Sequence, residues 1–354
     1  MSTLAINQRS VWQDSESLEC VSVTPEAPNV ATFCFRAPSG AVFSYLPGQF
    51  VTLELPVPGG PLYRTYTISS SPSRPMALTV TVKAGPESIG TRWMLDHLKP
   101  GMVVKMIGPA GHFTLANHPA EKYLFISAGS GITPMLSMTE YLYDLGSEPD
   151  IVFVNCARRP SEIIFRKRLE QLASRVNGIE LNWVVDDKDD YSVWAGFKGS
   201  INQLMLGLMA PDYLEREVFC CGPAPFMQHV RESLEGLGFD LAHYHEESFQ
   251  APAVENDEEF APTLDEDASC TVEFQQSAIS HKCDETTTLL DAARSAGLVI
   301  PSGCTFGVCG TCKVKKVSGD VHMVHNGGIT DNDIEAGYVL ACCSHPKGNV
   351  VLDI

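Results

Sequence analysis

The chain has 354 residues, 44% hydrophobic and 19% charged, which is too long for one ordinary core and excludes both disordered and membrane classes. Its net charge of −18 argues against nucleic acid, whose phosphates call for a basic footprint, and serves either solubility or steering of a basic partner. Met1 to Asp14 lacks the basic flank and apolar run of a targeting segment, and no stretch nears the roughly eighteen apolar residues of a span, so a cytoplasmic setting is expected, with twelve cysteines as reduced thiols or metal ligands.

After an N-terminal extension over 1–15, short β-rich runs such as Gln49–Leu55 and Leu78–Val82, parted by Pro and Gly turns, predict a small antiparallel barrel over 16–118. Only Ser88–Leu98 breaks the rhythm, with Ile89, Trp93, Leu95 and Leu98 at helical spacing. Within this region Arg64-Thr65-Tyr66-Thr67 resembles the Arg-x-Tyr-(Ser/Thr) flavin motif of the ferredoxin-NADP reductase superfamily. The resemblance implies that Arg64 neutralises a flavin phosphate, Tyr66 offers an aromatic plane, and the Thr67 hydroxyl acts near the reacting nitrogen. Ser88-Ile89-Gly90-Thr91 is similar to the family's second flavin patch, where helix amides meet a pyrophosphate, although a plain helix cap explains it too. Gly90, Thr91 and Lys83 complete the expected flavin contacts. Thr91 stands where the commoner form has Ser; FAD is favoured over FMN because the domain order matches that branch.

At Lys122 the pattern changes to strands alternating with helices, which implies a parallel sheet over 119–249. Strands are expected at Tyr123–Ser127, Ile151–Asn155, Leu181–Val185 and Glu217–Cys220, and helices at Pro134–Leu145 and Glu162–Ala173. Ala128-Gly129-Ser130-Gly131-Ile132-Thr133-Pro134-Met135 lies between a strand and a helix, where glycines let a dinucleotide approach the backbone. It resembles the superfamily's nicotinamide motif and implies contacts from Gly129, Gly131, Thr133 and Pro134. Cys221-Gly222-Pro223 resembles the Cys-Gly-Pro run ending the last strand of that domain, which would set Cys221 beside the transferring hydride; a small buried residue at a strand end is the alternative. Arg158, with Arg159, follows the second strand and suits the adenosine ribose or a 2′-phosphate, so NADH and NADPH stay open, with NADH favoured by the resemblance. Phe249 either shields the flavin or packs ordinarily.

Residues 250–268 are rich in Pro, Ala and acids and hold no Lys or Arg, which reads as an extended linker reaching on the order of 20–25 Å. Beyond it, Cys304-x4-Cys309-x2-Cys312 and a distant Leu340-Ala341-Cys342 match the plant-type [2Fe-2S] spacing, whereas zinc ribbons pair two CxxC knuckles. Cys342 and Cys343 are neighbours, and in an extended segment their side chains face opposite ways, so one alone reaches iron. Leu340-Ala341-Cys342 resembles the Leu-x-Cys end of plant-type ferredoxins, which selects Cys342. Cys270 and Cys283 lie outside the spacing and read as buried thiols. The strand expected at Cys270–Phe274 and the helix at Thr288–Gly297 fit the β-grasp of those ferredoxins over 269–354.

Flavin, nicotinamide and cluster motifs in this order resemble the reductase components with C-terminal ferredoxin domains. That resemblance implies hydride transfer from NADH to flavin, two one-electron steps to a cluster near −400 mV, and delivery to a partner protein. Two branches are near: the hybrid-cluster-protein reductase, and the reductase of Rieske-type monooxygenases acting on glycine betaine, which is favoured. A nicotinamide-binding redox sensor is the reading from another class.

Overall fold

The computed structural model describes residues 9–146, 148–189, 193–249, 270–304, 307–325 and 328–354. The expected acidic linker at 250–268 and the first eight residues of the N-terminal extension lie outside them. The chain divides into two compact units near residue 250.

The first unit opens with six antiparallel strands: β1 (Leu18–Ala27), β2 (Val30–Arg36), β3 (Phe50–Val57), β4 (Gly60–Thr67), β5 (Leu78–Lys83) and β6 (Val103–Ala110). Their order is β4-β3-β6-β1-β2-β5, and an Ile68–Val80 bridge just beyond β4 closes the sheet on itself. Alternating residues Phe33, Phe35, Leu53, Leu55 and Val80 point inward and are fully buried, each contributing roughly 1.5–3 kcal/mol by leaving water. Helix α1 (Ile89–His97) stands between β5 and β6, within the span expected for it.

Six parallel strands follow: β7 (Lys122–Ala128), β8 (Asp150–Ala157), β9 (Ile179–Val185), β10 (Phe197–Lys198), β11 (Glu217–Cys221) and β12 (Tyr244–Glu247), in the order β10-β9-β8-β7-β11-β12. Strand order reverses between β7 and β11, the place where open α/β sheets leave a crevice beyond the strand ends. Helices α2 (Ile132–Asp144), α3 (Arg166–Ala173), α4 (Gln203–Met209) and α5 (Ala224–Gly236) connect them. The helix expected over Glu162–Ala173 is shorter than its sequence suggests. Ile163, Ile164 and Phe165 are all buried, and the left-handed Phe165, with φ 59°, breaks the helical backbone so that α3 starts after it.

Barrel and parallel sheet are stitched together inside this unit. The Ser137 hydroxyl of α2 donates to the Ser70 carbonyl at 2.7 Å, three residues past β4. Arg74 pairs with Asp144 at 2.7 Å and with buried Glu140 at 3.4 Å, and Arg168 holds the same Glu140 carboxylate. Burial pushes the Glu140 carboxyl up, and the charges of Arg168 and Arg74 work against that rise.

The second unit is a five-stranded sheet, β14-β13-β19-β15-β17, from β13 (Cys270–Phe274), β14 (Ile279–Cys283), β15 (Lys313–Ser318), β17 (Tyr338–Leu340) and β19 (Val350–Leu352). A two-stranded ribbon of β16 (Val321–Met323) and β18 (Ser344–Pro346) flanks it, with helices α6 (Leu289–Ser295) and α7 (Asp331–Glu335). The Thr288 side chain caps α6, whose Leu289, Leu290, Ala292 and Ala293 pack on Val272, Phe274 and Val350. This is the β-grasp expected from the sequence.

Candidate functional site

The reversal of strand order brings two glycine turns together. Strand β7 runs into the 3-10 turn Gly129–Gly131 and then α2, while β11 ends at Cys221 and the chain turns through Gly222 and Pro223 into α5. A Cβ on Gly131 would stand 2.1 Å from the Cys221 carbonyl oxygen, and one on Gly222 would stand 3.1 Å from Cβ of Ala128. Gly131 is therefore required by close backbone approach, and Gly222 by side chains, the Phe226 ring at 2.8 Å being nearest. Gly129 differs: its φ is 56° and nothing lies within 4 Å of its absent Cβ, which leaves its side of the turn open. Thr133 is buried and its hydroxyl donates to the Ser130 carbonyl at 3.0 Å, so it braces the turn. Pro134, in the first turn of α2, loses no helical bond there. Arg158 is exposed after β8.

Cys221 and Cys220 are both fully buried. Burial pushes the Cys221 thiol far up and that of Cys220 up to about 12, so neither is a thiolate at neutral pH. Across the sheet Cys221 is in register with Glu247 of β12. The Glu247 Oε2 atom is out of water and without a hydrogen-bond partner among the described residues, and burial pushes this carboxyl up to about 8. Sequence reasoning passed over Glu247, because its place depends on β12 pairing with β11. The folded chain keeps a proton that the unfolded chain releases above about 4.5, so its stability contribution is full below that value and is lost as pH rises through about 8. The melting temperature of the wild type is expected to fall between pH 5 and 8.5, and Glu247→Gln to lose that component. Equal pH slopes for the two proteins would reject this reading.

In the barrel, Arg64 is exposed on β4 and donates to the Tyr63 carbonyl at 2.8 Å, while Tyr66 is half-buried against the barrel core. Thr67 is buried, and its Oγ1 has no hydrogen-bond partner among the described residues. An unmet buried hydroxyl costs on the order of 1–3 kcal/mol, which a ligand's polar atom would recover. Gly90 is buried in the first turn of α1, where the Thr91 hydroxyl bonds that of Ser88. Lys83 closes β5 with its amino group 3.4 Å from Glu162. Strand β5 also packs on the Gly129–Gly131 turn, so the flavin and nicotinamide motifs share one neighbourhood. Phe249 is 45% exposed.

In the second unit Cys309, Cys312 and Cys342 are buried and Cys304 is half-buried. Backbone N–H groups of Val308 and Cys309 point at the Cys304 sulfur at 3.3 Å each, and that of Cys342 at the Cys312 sulfur at 3.4 Å. A thiol loop wrapped with amides aimed at sulfur is what an iron-sulfur cluster requires, and this donor set fits one. A Cβ on Gly307, whose φ is 76°, would stand 2.9 Å from the Cys343 sulfur and from His325 Cα, and one on Gly310, whose φ is 70°, 2.7 Å from the Gly328 carbonyl oxygen. The segment carrying Cys342 is not extended as expected. Ala341–Cys343 is a 3-10 turn, so Cys342 and Cys343 diverge by about a third of a turn, not half. Cys342 enters the core, while Cys343 is half-buried with its thiol 3.7 Å from the Leu340 carbonyl.

Comparison with known proteins agrees with this geometry. Residues 17–115 match the oxidoreductase FAD-binding domain, 125–232 the oxidoreductase NAD-binding domain, and 272–347 the 2Fe-2S iron-sulfur cluster binding domain. Stachydrine N-demethylase reductase subunit Stc4 of Rhizobium meliloti is 63% identical, with 98% of each chain covered. The glycine betaine monooxygenase reductase subunit of Pseudomonas aeruginosa is 44% identical over 97% of this chain and 96% of its own. NADH oxidoreductase HCR of Escherichia coli is 30% identical over 93% and 95%. The solved structure of phthalate dioxygenase reductase shares the fold, with a TM-score of 0.62 over 97% of this chain and 100% of its own at 23% identity. Among the described residues no helix is long and apolar enough to cross a membrane. With FAD-, NAD- and 2Fe-2S-binding domains in that order and full-length relatives of the same build, the chain belongs to the family of electron-transfer reductase components of the ferredoxin-NADP reductase superfamily that carry a C-terminal plant-type [2Fe-2S] domain.

Proposed function

We propose that this reductase takes electrons from NADH and hands them singly to the oxygenase component of a Rieske-type system that demethylates or hydroxylates a quaternary ammonium compound. The names of the stachydrine and glycine betaine relatives support the acceptor class. The observation that carries the redox reading is the meeting of Gly131 with Cys221 beside an open Gly129, in a chain that also holds the four-thiol loop. The 30% likeness to NADH oxidoreductase HCR keeps a hybrid-cluster protein as the second acceptor to test.

The residue roles follow from their positions. FAD, when bound, exchanges a two-electron hydride for one-electron transfers. Arg64 and the amides at Gly90 and Thr91 bind its phosphates, Lys83 adds positive charge, Tyr66 and Phe249 flank the ring, and the unmet Thr67 hydroxyl supplies a hydrogen bond. Gly129, Gly131, Thr133, Pro134, Gly222 and Pro223 shape the nicotinamide seat, with Arg158 toward the ribose. Cys221 is small and neutral, so it admits the nicotinamide ring without reacting, and Glu247 holds a proton beside it. Cys304, Cys309, Cys312 and Cys342 ligate the cluster. We place domain limits at 16–118, 119–249 and 269–354, joined by the acidic 250–268 tract. We locate the protein in the cytoplasm, on the grounds that all twelve cysteines are free of disulfides.

Anaerobic absorbance and EPR spectra before and after NADH, and separately NADPH, test the donor. Bleaching with a reduced-cluster signal is expected with NADH. Mixing the reduced protein with purified Rieske-type oxygenase or hybrid-cluster protein tests the acceptor, and fast reoxidation by the latter alone would overturn the oxygenase assignment. Sustained NADH-driven cytochrome c reduction is expected, and its absence would favour a sensor.

A further inference from the structure

At the opposite end of the strands that carry Cys221 and Glu247 lies a cluster the redox chemistry does not use. Glu217 opens β11, His245 lies on β12, and His118 lies in the connection between β6 and β7. One donor atom from each falls within 4.8 Å of the others, and all three residues are half-buried. Glu217 Oε1 is 2.5 Å from His245 Nε2, and Glu217 Oε2 is 2.9 Å from Nδ1 of the exposed His243. The His118 and His245 rings stack with centroids 3.4 Å apart, and fully buried Phe219 lies against both.

Two imidazoles face to face cannot both carry charge without strong repulsion, so at least one keeps a free lone pair at neutral pH. Burial and the neighbouring His245 hold His118 below the usual histidine range. Burial alone would raise Glu217, but hydrogen bonds from His245 and His243 hold it below the usual carboxylate range. The donors present are thus an anionic carboxylate and two imidazoles, a set suited to zinc-like ions, with exposed His243 at the mouth. Two donors stand on paired strands and are fixed. The third is on a connection, and since a tetrahedral site needs donor atoms roughly 3.3 Å apart, the His118 ring must leave the stack for all three to hold one ion.

We propose that His118, Glu217 and His245 form a site for a divalent transition metal such as Zn2+, which ties the β6–β7 connection to β11 and edge strand β12. Binding replaces the His245–Glu217 hydrogen bond by two metal bonds: in a neutral His245 the Nε2 proton moves to Nδ1 by way of solvent, and an imidazolium instead releases one proton to solvent. The site is separate from the thiol loop and from the glycine turns at the other end of the sheet.

The test uses the full chain with FAD and cluster in place, stripped of loose metal and titrated calorimetrically with Zn2+ alone. Wild type is expected to take up one equivalent that His118→Gln and His245→Gln bind about a hundredfold or more weakly, while exposed His97→Gln binds as wild type. Saturating Zn2+ should raise the melting temperature of wild type and of His97→Gln, but not of the two site variants. Flavin and cluster absorbance verify folding; where a histidine variant fails this check, Glu217→Gln replaces it under the same criterion. Absence of uptake by wild type, or unchanged affinity in the folded site variants, would overturn the site.

Discussion

Cys342→Ala is expected to cut NADH-driven cytochrome c reduction by two orders of magnitude or more (~10²-fold, the scale of a lost electron-transfer centre) while leaving ferricyanide reduction close to wild type. Ferricyanide draws electrons from the flavin directly, whereas cytochrome c depends on the cluster. Cys342 enters the core, and its backbone N–H, directed at the Cys312 sulfur, stays in the alanine variant, so the substitution removes only the thiol proposed as a ligand. The neighbouring Cys343→Ala should retain full iron and sulfide, because the Cys343 thiol is turned toward the Leu340 carbonyl and the Gly307 backbone. Iron and sulfide content with EPR decides the matter: a cluster intact in Cys342→Ala and lost in Cys343→Ala would reverse the ligand assignment.

Gly131→Ala should be nearly as damaging at the donor end. The added methyl would sit 2.1 Å from the Cys221 carbonyl oxygen and 2.8 Å from the Gly222 nitrogen, both backbone atoms that cannot rotate away. One turn must retreat by an ångström or so, and a shift of that size at a reacting centre costs on the order of 10²-fold in rate. Overpacking adds roughly 1–3 kcal/mol of instability. Gly207→Ala is the control: on α4 its new methyl meets nothing within 4 Å, and helix propensity favours alanine by up to about 1 kcal/mol. Stopped-flow flavin reduction by NADH should separate the two, and a Gly131→Ala protein with wild-type rates would show that the turn contact is unimportant.

Much of this architecture is legible in the residues because it is set by local chemistry. Alternation marks β3 and β5, the glycine turn marks the start of α2, and thiol spacing marks the cluster loop before any coordinates are known. The failures share a cause. The start of α3 is misplaced from sequence because nothing in Ile163-Ile164-Phe165 signals the left-handed backbone that Phe165 adopts. Cys342 and Cys343 were expected on opposite faces because an extended segment was assumed where the fold makes a tight turn. Glu247 carried no signal, since a glutamate beside another, Glu246, reads as surface until strand pairing sets it opposite Cys221. His118 was equally silent, 99 positions from Glu217 and brought to it by the sheet.

The bond from Ser137 to the Ser70 carbonyl, with the Arg74 clamp on Glu140 and Asp144, fastens the strand bearing Thr67 to the helix that opens at Gly131. Barrel and parallel sheet are thereby held to each other at the strand end next to Thr67. Phe249, two residues past the end of β12 and 45% open to water, lies outside that fastening.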